Sequence, residues 1–261
     1  MLSEKLRPIQ TDDLFRLGSK HDGGYVCSVQ SIKASKYLIS LGVGDNWDFE
    51  KDFIKMAPVD SKQILVDYSV GWKSWIKSIA RKWINHEYGF ATKCRSILGP
   101  ILFRKFILTS NIFFLKKMVG STGENGISMD QIFEYCIGEK CYIKIDIEGY
   151  EYRILNSLVP FLPNISGISI EFHDYDIHQD RVLSWLAEIN RFGFEVIWIN
   201  ANNYAGVDAF NTPHVIEMTL VKREFISNEG GVGSGTTQLT TPNNPKKPPI
   251  HLSYESTNGS E

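Results

Sequence analysis

Short runs of β-branched and aromatic residues alternate along this chain with stretches whose apolar positions recur every three to four residues. KYLISLGVG, KQILVDYSV, CYIKIDIEG, NISGISIEFHD, FEVIWIN and HVIEMTLVKREF read as strands. DNWDFEKDFIKM, SMDQIFEYCIG, YEYRILNSLVPFL and HQDRVLSWLAEINRF read as helices. A serine or aspartate opens the second of these, and Gly193 stops the last. Strand–helix alternation of this kind predicts an α/β fold, an open, doubly wound and mostly parallel sheet covered on both faces. The last strand is expected to pair antiparallel with its predecessor.

One segment breaks the pattern. Residues 72–118 carry ten cations (Lys73, Lys77, Arg81, Lys82, Lys93, Arg95, Arg104, Lys105, Lys116 and Lys117) against a single acid, Glu87. Its first part, WKSWIKSIARKW, has helical apolar spacing. We read 72–118 as a basic helical insertion after the second strand. Two roles stand for it: an apolar face packed on the core with solvated charges, or a basic amphipathic surface for anionic lipid or a polyanionic substrate. The Gly, Ser, Thr and Pro content of NEGGVGSGTTQLTTPNNP predicts a flexible tail over 228–261, although PPIHLSYE has the strand character to dock back. One domain is therefore expected over 1–227.

Composition narrows the class. The chain has 261 residues, 43% hydrophobic and 22% charged, enough to bury a core. A net charge of −2 gives no global basic excess, so no nucleic-acid partner is expected. Four cysteines, Cys27, Cys94, Cys136 and Cys141, are too scattered for a disulfide framework or a zinc knuckle. MLSEKLRPIQTDDLF lacks the apolar run of a signal peptide, and no window offers 18 uninterrupted apolar residues. The expected setting is cytoplasmic, with peripheral membrane contact through 72–118 and self-association both left open.

Candidate chemistry gathers at predicted strand ends. Gly42 and Gly44 end the first strand, where glycines permit a tight turn and close approach of a ligand to backbone N–H groups. Asp67 ends the next strand 23 residues after Gly44, the placement of an acid that binds ribose hydroxyls. Asp45 and Tyr68, beside these turns, complete the expected cofactor set. GVGDNW lacks the third glycine of the dinucleotide pattern, which tilts the reading from NAD toward a nucleoside without phosphates, such as S-adenosylmethionine. Strand alternation puts Asp146 and Glu148 on one face of CYIKIDIEG, and Glu171 and His173 on one face of GISIEFHD. Were those strands neighbours, the four would surround one crevice at the carboxyl edge. There they would act as the catalytic set, with Asp146 and Glu171 as candidate ligands of magnesium or manganese, or with one group tuned as a base.

The ordered set RLGSKHDGGYV, LISLGVGDNWDFEKDF, YIKIDIEGYEYRIL, IEFHD, INANNY and HVIEMTLV resembles the FkbM-like family of S-adenosylmethionine-dependent methyltransferases, from about Arg16 to Val221. PNNPKKPPIHL is similar to tails in the branch with an Asp-Gly-Gly-Tyr segment. The resemblance implies a class I methyltransferase (Rossmann-like) fold, with the methyl donor over Gly42 and Gly44 and its ribose near Asp67. It also implies O-methylation of a sugar hydroxyl in a glycan or glycoconjugate; for that reaction the acidic cluster offers His173 or Asp146 as base. Two features depart from the family: the insertion at 72–118, and Ala201 where the branch often carries histidine. The alternatives are an NAD-linked oxidoreductase and a non-catalytic glycan- or membrane-binding module.

Overall fold

The computed structural model describes residues 1–84, 89–109, 111–121, 123–227, 230–232 and 239–255. Seven strands form the central sheet: β1 (Tyr37–Leu41), β2 (Lys62–Val66), β3 (Ile112–Leu115), β4 (Cys141–Ile145), β5 (Ile165–Phe172), β6 (Phe194–Ala201) and β7 (Ile216–Lys222). Their order is β6-β7-β5-β4-β1-β2-β3. Neighbours from β3 to β5 run parallel, and β7 runs antiparallel to both β5 and β6. A Rossmann-like sheet with one reversed strand between its fifth and sixth is the class I methyltransferase arrangement. Chain order turns back between β1 and β4, the switch point at which such sheets take their ligands.

Helices cover both faces: α1 (Asp48–Met56), α2 (Trp72–Ile84), α3 (Phe90–Ile107), α4 (Glu151–Leu158) and α5 (Tyr175–Asn190). With both faces covered, β4 and β5 are buried at every position, and an apolar run rather than alternation is their sequence signature. One core lies beneath α4 and α5, around Ile143, Ile170, Leu155 and Trp185. On the opposite face Phe49 and Phe53 of α1 meet Tyr142 and Trp198. An antiparallel hairpin, Leu14–Gly18 with Gly24–Ser28, packs beside α1 and carries the Asp-Gly-Gly-Tyr segment over the sheet's carboxyl edge.

The insertion is helical only in part. Both α2 and α3 lie within 72–118, but Ile112–Leu115 is the edge strand β3, parallel to β2. Trp75 and Phe103 pack on Trp47, with ring centroids 5.9 and 5.2 Å from it. Gly99 permits this contact, because a Cβ there would lie 2.8 Å from the Trp75 ring. The other side of the pair is exposed, with Trp72 73% accessible. Among the described residues no helix is long and apolar enough to cross a membrane.

The 228–261 stretch departs from a flexible tail wherever it is described. Gly230–Val232 pairs with Ile9–Gln10, Trp198 Nε1 donates to Thr240 Oγ1 at 2.8 Å, and Asn243 and Asn244 are buried. Tyr254 bridges to Leu2 and packs against the core. Asparagine side chains supply the hydrogen bonds that hold this segment down, a reason its polar composition reads as loose.

Candidate functional site

The turn after β1 is built around glycine. Gly42 has φ +80°, and a Cβ there would lie 1.7 Å from the Asp146 carbonyl oxygen. No other residue fits that approach. Gly44 also has positive φ, +61°. The Val43 and Gly44 amides donate to Asp67 Oδ2, each at 2.8 Å. Asp67 Oδ1 accepts from Ser69 N, Ser69 Oγ and Val70 N at 2.6–3.2 Å. Asp67 thus lines the cavity at this edge but spends both oxygens clamping the β1 and β2 turns together. In this structure its carboxylate braces the two turns while facing the cavity where a ribose was expected.

Lys144, which sequence reasoning passed over, stiffens the same turn. Its Nζ donates to the Gly42 carbonyl at 2.8 Å and lies 3.8 Å from both Glu50 Oε1 and Asp146 Oδ2. Burial works to lower its pKa, but Glu50 and Asp146 raise it above the ordinary value. Burial raises Glu50, while Lys144 and the Ser40 hydroxyl offset part of that. The available signal was a lone lysine inside an otherwise apolar strand, which needs buried counter-charges.

A cavity of about 280 Å³ opens outside the carboxyl ends of β1 and β4, lined by Gly42, Gly44, Asp67, Tyr68, Met118 and Asp146 among others. Asp22 and Gly23 of the hairpin loop close one side. Asp45 borders the cavity but turns toward α2, where Lys82 Nζ lies 2.6 Å from it and the Ser78 hydroxyl donates to it. Burial alone would raise the Asp45 pKa; Lys82 and Ser78 outweigh that and lower it. Asp45 therefore ties the insertion to the glycine turn. Tyr68 is exposed at the rim.

Asp146, Glu171 and His173 come together from β4 and β5, with one ligand atom of each within 4.8 Å of the others. Glu171 reaches the site from within β5, but Asp146 does not reach it from a strand face. β4 ends at Ile145, so Asp146 and Glu148 lie on the following turn. Glu148 sits there with φ +54° and a side chain 88% exposed. A left-handed conformation in a non-glycine residue is uncommon and strained. The turn is held by Glu151 Oε1, which accepts from the Ile147 and Gly149 amides at 3.1 and 3.2 Å. The same oxygen lies 3.1 Å from His173 Nδ1, and Glu148 Oε2 lies 3.5 Å from Nε2. Burial pulls the His173 pKa down, but the hydrogen bond to Glu151 and the surrounding carboxylates prevail and push it up to about 9. At neutral pH this ring is an imidazolium.

Glu171 is buried and pairs in register with Glu217 on β7. Burial, then the charges of Asp146 and Glu217, raise its pKa well above the carboxylate range, while the amide of Asn202 donates to it at 2.8 Å. Glu217, raised to about 7 chiefly by burial, accepts from Asn200 at 2.9 Å and from Asn243 at 2.6 Å. The asparagine loop beside Ala201 therefore serves the acidic cluster, a role its sequence left open. Asp146, Glu171 and His173 are the residues that would hold a divalent cation such as magnesium or manganese. A cation there would have to displace the proton that the surrounding carboxylates favour on His173, and Asn202 already donates to Glu171.

No family model matches the chain, and no curated protein does. Solved structures similar in fold include an rRNA methylase of Streptococcus thermophilus (11% identity, 74% of this chain and 92% of that one, TM-score 0.40). A candidate tRNA (m1A22) methyltransferase of Streptococcus pneumoniae, in complex with S-adenosyl-L-methionine, matches at 12% identity over 79% of this chain and 73% of that one, TM-score 0.38. The precorrin-6y C5,15-methyltransferase of Geobacter metallireducens matches at 9% identity over 74% and 86%, TM-score 0.38. Two of these three are described as methylases of RNA. The exclusion of nucleic acid, and with it the glycan and membrane partners expected in its place, is therefore withdrawn. The physical reason is that a net charge of −2 averages away a segment with ten cations and one acid.

Proposed function

We propose that the protein is an S-adenosylmethionine-dependent methyltransferase of the FkbM-like kind, acting on an oxygen nucleophile. The observation that carries this reading is the cavity at the β1–β4 switch point, floored by Gly42 and Gly44 and faced by Asp146. Three of the six segments behind the FkbM-like resemblance meet in its walls: Asp22 and Gly23 from the first, Gly42 and Gly44 from the second, and Lys144, Asp146 and Glu148 from the third. Five carboxylates line the cavity (Asp22, Asp45, Asp67, Asp146 and Glu148) against Arg81, Lys117 and Lys144. That excess of negative charge suits a sulfonium and opposes a pyrophosphate, which favours this donor over NAD.

S-adenosylmethionine supplies, when bound, an electrophilic methyl group on positively charged sulfur. The chain's own part is to orient and to take a proton. His173, charged at neutral pH, serves as a hydrogen-bond donor held by Glu151 and not as the base. Asp146 at the cavity wall is left to accept the acceptor's hydroxyl proton on its carboxylate as the oxygen's new bond to the methyl carbon replaces that carbon's bond to sulfur, whose electron pair leaves with S-adenosylhomocysteine. Fixed placement of both partners supplies much of the acceleration.

Calorimetry with S-adenosylmethionine, S-adenosylhomocysteine and NAD tests this reading. Micromolar binding of the first two and none of NAD is expected. Tight NAD binding with no binding of the methyl donor would overturn it.

A further inference from the structure

A second cavity, of about 500 Å³, adjoins the first and shares Asp22, Asp45, Asn46 and Arg81 with it. The two form one continuous cleft. Three segments distant in sequence wall the second cavity: the hairpin loop around Ser19–Asp22, the α2–α3 insertion, and the docked strap at Asn243–Lys246. Each is anchored to the sheet edge. The hairpin loop is held where the Asn46 amide donates to Ser19 Oγ at 2.8 Å, and α2 is held by Asp45. The strap is held by Asn244, whose amide N–H donates to Asn203 Oδ1 at 2.7 Å.

The lining has two chemically different ends. Toward the donor cavity stand the carboxylates Asp22 and Asp45, and a third carboxylate of the lining, Asp48, is paired with Lys51 at 3.2 Å. Lys20, Arg81 and Lys246 are exposed and bring positive charge from the three separate walls, while Trp47 and Trp75 give an apolar face between α1 and α2. Lys82 pairs with Asp45 Oδ2 at 2.6 Å, and the Arg81 guanidinium makes a longer pair with the same oxygen at 4.0 Å. A volume of this size suits a small molecule or the end group of a larger one.

We propose that this second cavity seats the methyl acceptor, and that the acceptor carries a phosphomonoester held by Lys20, Arg81 and Lys246. The inference rests on the methyltransferase reading of the first cavity and adds the acceptor's class to it. A monoester carries a charge of about −1.5 to −2 at pH 7, which three cations lining one cavity match better than they match a singly charged diester. Arginine contributes a planar fork suited to phosphate oxygens, and the lysines add mobile point charges. With the phosphate among the cations, the acceptor's hydroxyl is directed to the carboxylate end, toward Asp146.

The test is calorimetry at constant ionic strength on the S-adenosylhomocysteine-saturated protein. The probes are inorganic phosphate, glycerol phosphate, glycerol and dimethyl phosphate. Inorganic phosphate and glycerol phosphate are expected to bind, and glycerol and dimethyl phosphate to bind at least tenfold more weakly. The Lys20→Ala, Lys246→Ala double variant should weaken both phosphates at least tenfold and leave S-adenosylhomocysteine affinity within twofold. Failure of phosphate to bind, equal binding of dimethyl phosphate, displacement of S-adenosylhomocysteine, or indifference to the double variant would each overturn the proposal and leave the donor reading standing. A protein that binds no S-adenosylhomocysteine loses both.

Discussion

Two residues at the sheet edge make measurable claims on their own. Lys144 is 3% exposed and is the buried counter-charge of Glu50. Removing one partner of a buried pair typically costs about 3–5 kcal/mol, because the other charge is left alone in a poor solvent. Lys144→Met should lower unfolding free energy by that order in urea titration, and adding Glu50→Gln should restore a substantial part. Additive losses would show that the two do not act as a pair. His173 makes a pH-dependent claim. Its folded pKa of about 9 lies above the ordinary 6.5, so its stabilising contribution is complete below pH 6.5 and is lost as pH rises through 9. Glu217 works on a lower window, since a carboxyl raised to about 7 sheds stability between its ordinary 4.5 and pH 7. His173's own share of the fall between pH 7 and 9 is about 2–3 kcal/mol, beside that of Glu171, whose pKa burial also raises. Urea midpoints should decline over that window more steeply in the native chain than in His173→Gln. The same slope in both proteins would refute the assignment.

Elements were legible where one periodicity dominated, and obscure where apolar residues served two structures. Every buried strand from β1 to β7 except β3 stands out as a short apolar run, since helices on both faces demand one. Strand β3 hides in ILGPILFRKFILTSNIFFL, where the end of α3 and the edge strand share one composition and only tertiary pairing with β2 separates them. The same dual coverage spoils face assignment by alternation: Asp146 and Glu148 reach the site from a turn, and their spacing along CYIKIDIEG was not a strand face. Gly42 was readable as a close-approach glycine, yet the Asp67 clamp and the Lys144 tether depend on contacts between strands that no local pattern records. Packing of the insertion turns on Gly99, which lets α3 lie against Trp75. Gly99→Val would drive its Cβ into that ring, and overpacking of this kind costs about 1–3 kcal/mol. Reduced near-ultraviolet tryptophan dichroism and a lower unfolding midpoint are expected, with the central sheet's far-ultraviolet signal kept. An unchanged midpoint would mean that α3 rests on the core by other contacts.

Across the whole molecule, the cleft is assembled from segments that meet only after the sheet has formed. Asn243 stands at the junction. Its amide donates to Glu217 Oε1 at 2.6 Å, and its carbonyl oxygen accepts from Asn200 at 3.0 Å. It also faces Asp22 Oδ1 at 3.5 Å, across the cleft from β7. One side chain thus links the strap, strand β6, the acidic strand pair and the hairpin loop. A polar segment rich in Pro, Asn and Lys docks here because buried carboxylates need donors, and asparagine supplies them without adding charge. Asn243→Ala leaves Glu217 Oε1 without that donor, a penalty of about 1–3 kcal/mol. The loss has two routes of relief: Glu217 takes up a proton more readily, or the strap lifts and lets water reach the carboxylate. Both predict a variant more stable relative to the native chain at pH 5.5 than at pH 8. Only the second predicts faster tryptic cleavage between Lys246 and Lys247, read by mass spectrometry of the released C-terminal peptide. Cleavage at the native rate, with the pH-dependent stability loss present, would show that Asn203 and Asn244 hold the strap unaided.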